Sequence, residues 1–537
     1  MQSELTYFDC FAAIGRRAGK DPKAPWTTEH LLSEMERCRI HGALIFAHQA
    51  RETHPQVGNP IVNEICHANE RLVPCWVVLP HHTGEFPHPD QLLRDMEAHN
   101  VGAIKIYPHV YWHDVNEATL GTLLGALQEA GKLLIVDRGE YGDAVQIDWP
   151  EIDWMCTNYP QLPVLLHSVR WEATRRLVPL AHKHNNLHFE FSSYQGNRML
   201  EFFCEEIGHE RLLFGTEAME KSMGAARAYI DYADLSDEQK QAIAGGNLMR
   251  LLHIEQPPPP YPALKSDDVI LQKSLQGQPI DDMTVIDAHA HIVQKHGRGA
   301  ARVAMNLADA AGVVTRNRKL GVDKTCISAW TAIWGDYKLG NEDTITAMRD
   351  FPGEIIGYAA LDPNYVTDWQ AEFDYYYKKH RFVGMKPYFP RMGRPYNDPL
   401  YDPWWEFGNA HNLIALMHPS DNFYNEMLDL GERCPNISFL LAHSGWNWPI
   451  ARQHVELAKK FPNCFLEITF TSVTSGSIEY MVEEVGSERV LYGSDAPMRD
   501  PYPQFGWVAY ADISEQDKRN IFGRNMEKIL ARVKLPE

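Results

Sequence analysis

Five side chains in the second half of this 537-residue sequence are of the types that hold a divalent metal ion. His289 and His291 lie two apart in Ile286-Asp287-Ala288-His289-Ala290-His291. His418 follows the run Leu413-Ile414-Ala415-Leu416-Met417, His443 follows Ser438-Phe439-Leu440-Leu441-Ala442, and Asp495 follows Leu491-Tyr492-Gly493-Ser494. Residues two apart on a strand project from the same face, so the first pair can point together. Three imidazoles and a carboxylate, with one position open to water, describe a catalytic Zn²⁺ or a similar divalent ion rather than a closed structural site. His-x-His alone is a weak signal, because 25 histidines in this length give roughly one such pair by chance. A second pair, His182-Lys183-His184, reads as a solvated helix end. Taken singly, His443 also suits a core histidine satisfied by hydrogen bonds. The strength lies in all five falling just after apolar runs.

Those runs are the elements that must position the five residues. In the second half they begin near Val285, Lys324, Ile355, Phe382, Leu413, Ser438, Cys464 and Arg489, with helical patterns between them. Eight strand-helix units in about 250 residues predict a (β/α)8 barrel, whose chemistry collects at the carboxyl ends of the strands. The first half offers the same count, from Leu5, Ala43, Val73, Gly102, Lys132, Val164, Leu187 and Leu212. A doubly wound open sheet is the alternative, but no glycine-rich phosphate loop follows the first strand.

The two halves are copies. His289 stands 278 residues after Phe11, Asp495 278 after Glu217, and Asn525 278 after Asn247; Glu467 follows Glu190 by 277 and His443 follows His167 by 276. A period this long makes each copy a whole domain. The fold expected is therefore two tandem (β/α)8 barrels, a degenerate metal-free one over 1–254 and a catalytic one over 284–537. Between them, 255–283 forms a linker that opens with Glu255-Gln256-Pro257-Pro258-Pro259-Pro260-Tyr261-Pro262 and includes a short helix within Ser266 to Leu275. The first copy has Phe11 and Ala13 for the paired histidines, Asp137 and Arg138 at the place of His418, and Glu217 for Asp495.

Composition narrows the function class. A content of 44% hydrophobic and 23% charged residues suits a folded enzyme, and a net charge of −20 argues against nucleic-acid or anionic-membrane partners. No apolar stretch approaches 18 residues, so no membrane span is expected. Nine scattered cysteines without a C-x-x-C pair, and a start lacking the layout of a signal peptide, predict a reducing, cytoplasmic setting.

Asp-Ala-His-Ala-His, Met-His-Pro, Leu-Ala-His-Ser-Gly and Tyr-Gly-Ser-Asp-Ala-Pro, in this order over 284 to about 533, resemble the amidohydrolase superfamily. More narrowly, they resemble its amidohydrolase-related branch of decarboxylases and hydrolases. The resemblance implies that His289, His291, His418 and Asp495 bind one metal ion, Zn²⁺ first, with Mn²⁺, Fe²⁺ and Co²⁺ as further candidates. It also implies that His443 orients or protonates substrate. A divalent ion makes hydroxide available near neutrality, and Asp495 and His443 are the candidate proton-transfer groups. Hydrolysis of an amide, lactone or related acyl bond of a small molecule follows directly. Non-oxidative decarboxylation of a small carboxylic acid is the alternative, and a non-catalytic metal-binding scaffold the second. Lys386, which ends the fourth strand, bridges two metals in some superfamily members but not usually in this branch, so a substrate-side role is expected. Tyr388, Arg391 and Trp446 are candidates to line the pocket, Arg391 suiting a carboxylate. Branch members often work as symmetric dimers. The first copy is thus expected to pair intramolecularly with the second in place of a partner, with a homo-oligomer also open.

Overall fold

The computed structural model describes residues 5–17, 21–139, 147–262, 264, 266–300, 303–388 and 392–537. The chain divides into two compact units, one of residues 1–195 and 199–265, the other of 196–198 and 266–537.

The first unit is an eight-stranded parallel sheet in sequential order: Tyr7–Ile14, Ile40–Ala47, Leu72–Val77, Ala103–Ile106, Leu133–Asp137, Val164–His167, Leu187–Glu190 and Leu212–Leu213. Cys10 N donates to Phe214 O at 2.9 Å and Ala13 N to Ala218 O at 2.6 Å, which joins the last strand to the first. The second unit repeats the design with Val285–Ile292, Val322–Ala329, Ile355–Ala359, Gly384–Met385, Ile414–Met417, Ser438–Leu441, Cys464–Glu467 and Val490–Leu491. Here Ala288 N to Tyr492 O at 3.0 Å and His291 N to Ala496 O at 2.6 Å make the seam. Parallel neighbours need a crossover, and helices alternate with the strands throughout, so both units are (β/α)8 barrels. Every residue of the first strand is buried in each unit, as a strand covered on both faces requires.

Small features repeat at the 278-residue offset. The closing helical segments each contain one π turn, Ala242–Gly246 and Asn520–Arg524. Gly245 and Gly523 sit in those turns, where a Cβ would meet the carbonyl oxygens of Thr6 at 2.5 Å and Thr284 at 1.9 Å. Glycine is needed there for the closing helix to seat against the entry of the first strand.

The Pro-rich stretch is not a free spacer. Tyr261 and Pro262 carbonyls accept from Arg39 at 2.8 and 2.6 Å, and the Arg71 guanidinium lies 3.9 Å from the Tyr261 ring centre, so the segment runs along the first unit. The short helix is Val269–Leu275, N-capped by Asp268. In the other His-x-His, His182 is half-exposed but His184 is buried, with Nε2 2.6 Å from Asp153. Only the first of the two is a solvated helix end. Among the described residues, no helix is long and apolar enough to cross a membrane.

Candidate metal centre

His289 and His291 project into the second barrel at its carboxyl end, buried at 1% and 3% exposure. Their tautomers follow from their neighbours. His289 Nδ1 lies 2.8 Å from Glu467 Oε2, and His291 Nδ1 2.9 Å from the Ser328 carbonyl oxygen. Both partners are acceptors, so each Nδ1 carries the proton and each Nε2 presents a lone pair. Those two Nε2 atoms face each other at 3.3 Å. Asp495 Oδ1 completes the cluster, 3.3 Å from His291 Nε2 and 3.8 Å from His289 Nε2. Three acceptors converging out of water with no proton between them are mutually repulsive unless a cation sits among them. Two nitrogens on one ion at about 2.0–2.1 Å in a tetrahedral array stand about 3.3–3.4 Å apart, so this donor set fits a divalent metal.

His418 and His443 join the same surface. His418 Nδ1 faces the Pro419 carbonyl oxygen at 2.9 Å and His443 Nδ1 that of Thr469 at 2.7 Å, which again leaves Nε2 as the lone pair. The His443 ring centre lies 5.2 Å from that of His289 and 5.0 Å from that of His418. Among the described residues, the tight groups of ligand atoms are His289, His291 and Asp495, and His289, His443 and Glu467; His418 belongs to neither. His443 and Asp495 have φ of 64° and 55°, the left-handed region that non-glycine residues seldom adopt.

The electrostatics suit neutral imidazoles. Burial, reinforced by Lys386, pushes His291 and His418 down to about 3 and holds His289 well below its usual value. Burial and then His418 do the same to His443. Lys386 itself is fully buried, Nζ 3.5 Å from His289 Nε2, and burial lowers it to about 7 against the pull of Glu467. Glu467 is pushed up to about 7 by burial. Gly493 lets Glu467 reach His289, since a Cβ there would meet Glu467 Oε1 at 2.4 Å and His289 Cβ at 2.8 Å.

Of the residues expected to line the pocket, Tyr388 packs its ring 5.0 Å from His418. Trp446 stacks on Phe470 at 4.4 Å, and Phe470 lies 5.4 Å from His443. Arg391 lies outside the described residues. The structure adds groups that the motifs did not single out. Trp330 stands 5.6 Å from His291 and stacks on Trp334 at 5.1 Å. Arg499, 2% exposed, is ion-paired through Nη1 with Asp495 Oδ2. A cation four residues after Asp495 in the sequence was the available sign of it. Glu467 had served only as a marker of the repeat.

The first barrel fills the same place differently. Phe11 stacks on His167 at 4.0 Å, and Lys105, fully buried, sets its ammonium 4.2 Å from the Phe11 ring centre and 4.5 Å from that of Phe46. Lys105 Nζ pairs with Asp137 Oδ2 at 2.9 Å and lies 3.2 Å from His167 Nδ1. Burial alone would lower Lys105 and raise Asp137, but their attraction overrides it, leaving Lys105 above and Asp137 below the ordinary range. The match of His443 to His167 needs correction by one residue. Ser168, with φ 55°, donates its N–H to Glu190 at 3.0 Å, as His443 N does to Glu467 at 3.4 Å, so Ser168 holds the backbone position of His443.

Residues 286–532 match the family model described as amidohydrolase. No curated protein matches the chain. Among solved structures, an uncharacterised TIM-barrel protein from Bordetella bronchiseptica is 17% identical over 47% of this chain and 99% of its own, with a TM-score of 0.38. A 2,6-dihydroxybenzoate decarboxylase from Rhizobium is 14% identical over 46% and 98%, TM-score 0.37. A 5-carboxyvanillate decarboxylase from Novosphingobium aromaticivorans, complexed with manganese and 4-hydroxy-3-methoxy-5-nitrobenzoic acid, is 14% identical over 47% and 96%, TM-score 0.37. The family model thus matches the second barrel, over residues 286–532, which is similar to the amidohydrolase family.

Proposed function

We propose that the second barrel is a divalent-metal-dependent hydrolase acting on an acyl bond of a small, planar molecule. The observation that carries this reading is the buried convergence of the His289, His291 and Asp495 acceptors, which calls for a cation. His289, His291 and Asp495 would hold the ion, with His418 beside them as a further ligand; Zn²⁺, Mn²⁺, Fe²⁺ and Co²⁺ all suit these donors. When bound, such an ion lowers the pKa of water and polarises a carbonyl. His443, kept neutral with Nδ1 fixed on Thr469, is equipped to take a proton at Nε2. Asp495 is less suited to that task, because Arg499 occupies its Oδ2. The stacked pairs Trp330 with Trp334 and Trp446 with Phe470 flank His291 and His443, and such faces favour a flat substrate.

Those aromatic walls also support a second reading, non-oxidative decarboxylation of a planar carboxylic acid. The test is a screen of metal-reconstituted full-length protein against aryl esters, lactones and aryl carboxylic acids, scoring acid release against carbon dioxide release. Metal-dependent acid release that disappears in His443→Asn is expected. Carbon dioxide release alone would select the second reading, and full activity after exhaustive chelation would remove both.

A further inference from the structure

Asp495 uses its two oxygens differently. Oδ1 faces the histidine nitrogens, whereas Oδ2 is held by Arg499. Arg499 is itself anchored: Nε donates to Thr471 Oγ1 at 2.6 Å, and the guanidinium lies 4.6 Å from the Phe470 ring centre. Thr471 is fully buried, and Asp500, next in sequence to Arg499, caps the helix Pro501–Ala509. A guanidinium is planar and only donates, so bridging a carboxylate and a hydroxyl fixes the carboxylate's orientation as an ammonium on a flexible stem does not.

The arrangement is inherited as a unit. In the first barrel Lys221 pairs with Glu217 at 3.0 Å and donates to Ser193 Oγ at 2.7 Å. Acid, cation and hydroxyl all recur 278 residues later as Asp495, Arg499 and Thr471. Only the second set stands beside paired histidines, and only there is the cation an arginine.

We propose that Arg499, anchored by Thr471, is a positioning residue that turns Asp495 so that Oδ1 alone meets the metal site. The inference rests on the metal reading above. Its test is ion affinity of the full-length apoprotein, measured with Zn²⁺ and with Mn²⁺ against a competing chelator. Arg499→Met is expected to weaken binding about 10- to 100-fold, the usual effect of losing a group that orients a ligand. Arg499→Lys is expected to recover part of this, and Thr471→Val to weaken binding by a smaller factor. Lys221→Met, at the corresponding place in the first barrel, is expected to leave affinity unchanged. Saturating metal is expected to return most of the turnover lost in Arg499→Met, which a general loss of structure would not allow. Affinities within about twofold of wild type in Arg499→Met and Thr471→Val overturn the proposal; should Arg499→Met not fold, Thr471→Val and Arg499→Lys decide it. Wild-type protein that binds neither ion overturns the metal reading itself, a result distinct from tight binding that ignores Arg499.

Discussion

The two barrels present the same framework around opposite electrostatic needs. Asp9 and Asp287 accept from the same backbone positions and from the hydroxyls of Thr216 and Ser494. Glu190 and Glu467 each brace the turn after the sixth strand. Beyond that frame, the second barrel turns the Nε2 atoms of His289 and His291 and Asp495 Oδ1 towards one point, whereas the first sets the ammonium of Lys105 between Asp137 and His167. The lesson is that one duplicated barrel frame can enclose two different polar clusters, provided each buried charge has neighbours that offset its desolvation. A buried ammonium beside a carboxylate and aromatic faces meets that need, because each neighbour offsets part of its desolvation.

The sharpest way to break the comparison is to exchange ligands. His291→Ala is expected to abolish stoichiometric metal and with it the metal-dependent activity, whereas Phe11→His with Ala13→His should add no metal to the first barrel. Metal analysis after dialysis reads both, and a second ion per chain in the latter variant would sink the contrast. Next in size, Lys105→Met leaves the Asp137 carboxylate without its cation and is expected to destabilise the first barrel by about 3–5 kcal/mol. Lys386→Met has no paired carboxylate to strand and should cost much less. Urea unfolding followed by hydrogen exchange in each barrel separates them.

Glu467→Gln is expected to cost about 10- to 100-fold in metal affinity by loosening His289, while Glu190→Gln should leave metal binding untouched; equal affinities would reduce Glu467 to a bracing role. The last comparison is with pH. His291 and His418 bind protons only near 3 when folded but near 6.5 when unfolded, so they stabilise the apoprotein above about 6.5 and that contribution is lost as pH falls towards 3. The second barrel also holds His289, His443 and His454 in the same condition, against His167, His188 and the partly buried His113 in the first. Acidification from pH 7 to pH 5 is therefore expected to raise exchange in the second barrel first, and earlier loss in the first barrel would refute the assignment.

Much of this was legible in sequence. Strands buried on both faces are continuous apolar runs, and their beginnings fall within three residues of the structure. Ile40–Ala47 was read late because His41 and Gly42 interrupt it, and Gly384–Met385 was read early because Phe382 and Val383 prolong the run without joining the ladder. His289, His291, His418, His443 and Asp495 stood out because histidine and aspartate are rare at apolar ends. The walls and the clamp did not. Trp330, Trp334, Phe470 and Arg499 lie on connections, where periodicity is silent and only the folded barrel brings them to one mouth. The confusion of His167 with Ser168 has a different origin: the offset between the copies falls to 275 at this strand, and a histidine happens to stand one residue before the matching Ser168.

The Lys105–Asp137 pair also carries a consequence for descent. Restoring an imidazole at Phe11 would set it against an ammonium already neutralised, and removing Lys105 first would strand Asp137 in the core. Both of these single steps disturb a charge that is already balanced, so the pair works as a ratchet against them. Changes elsewhere at the barrel mouth leave that balance untouched.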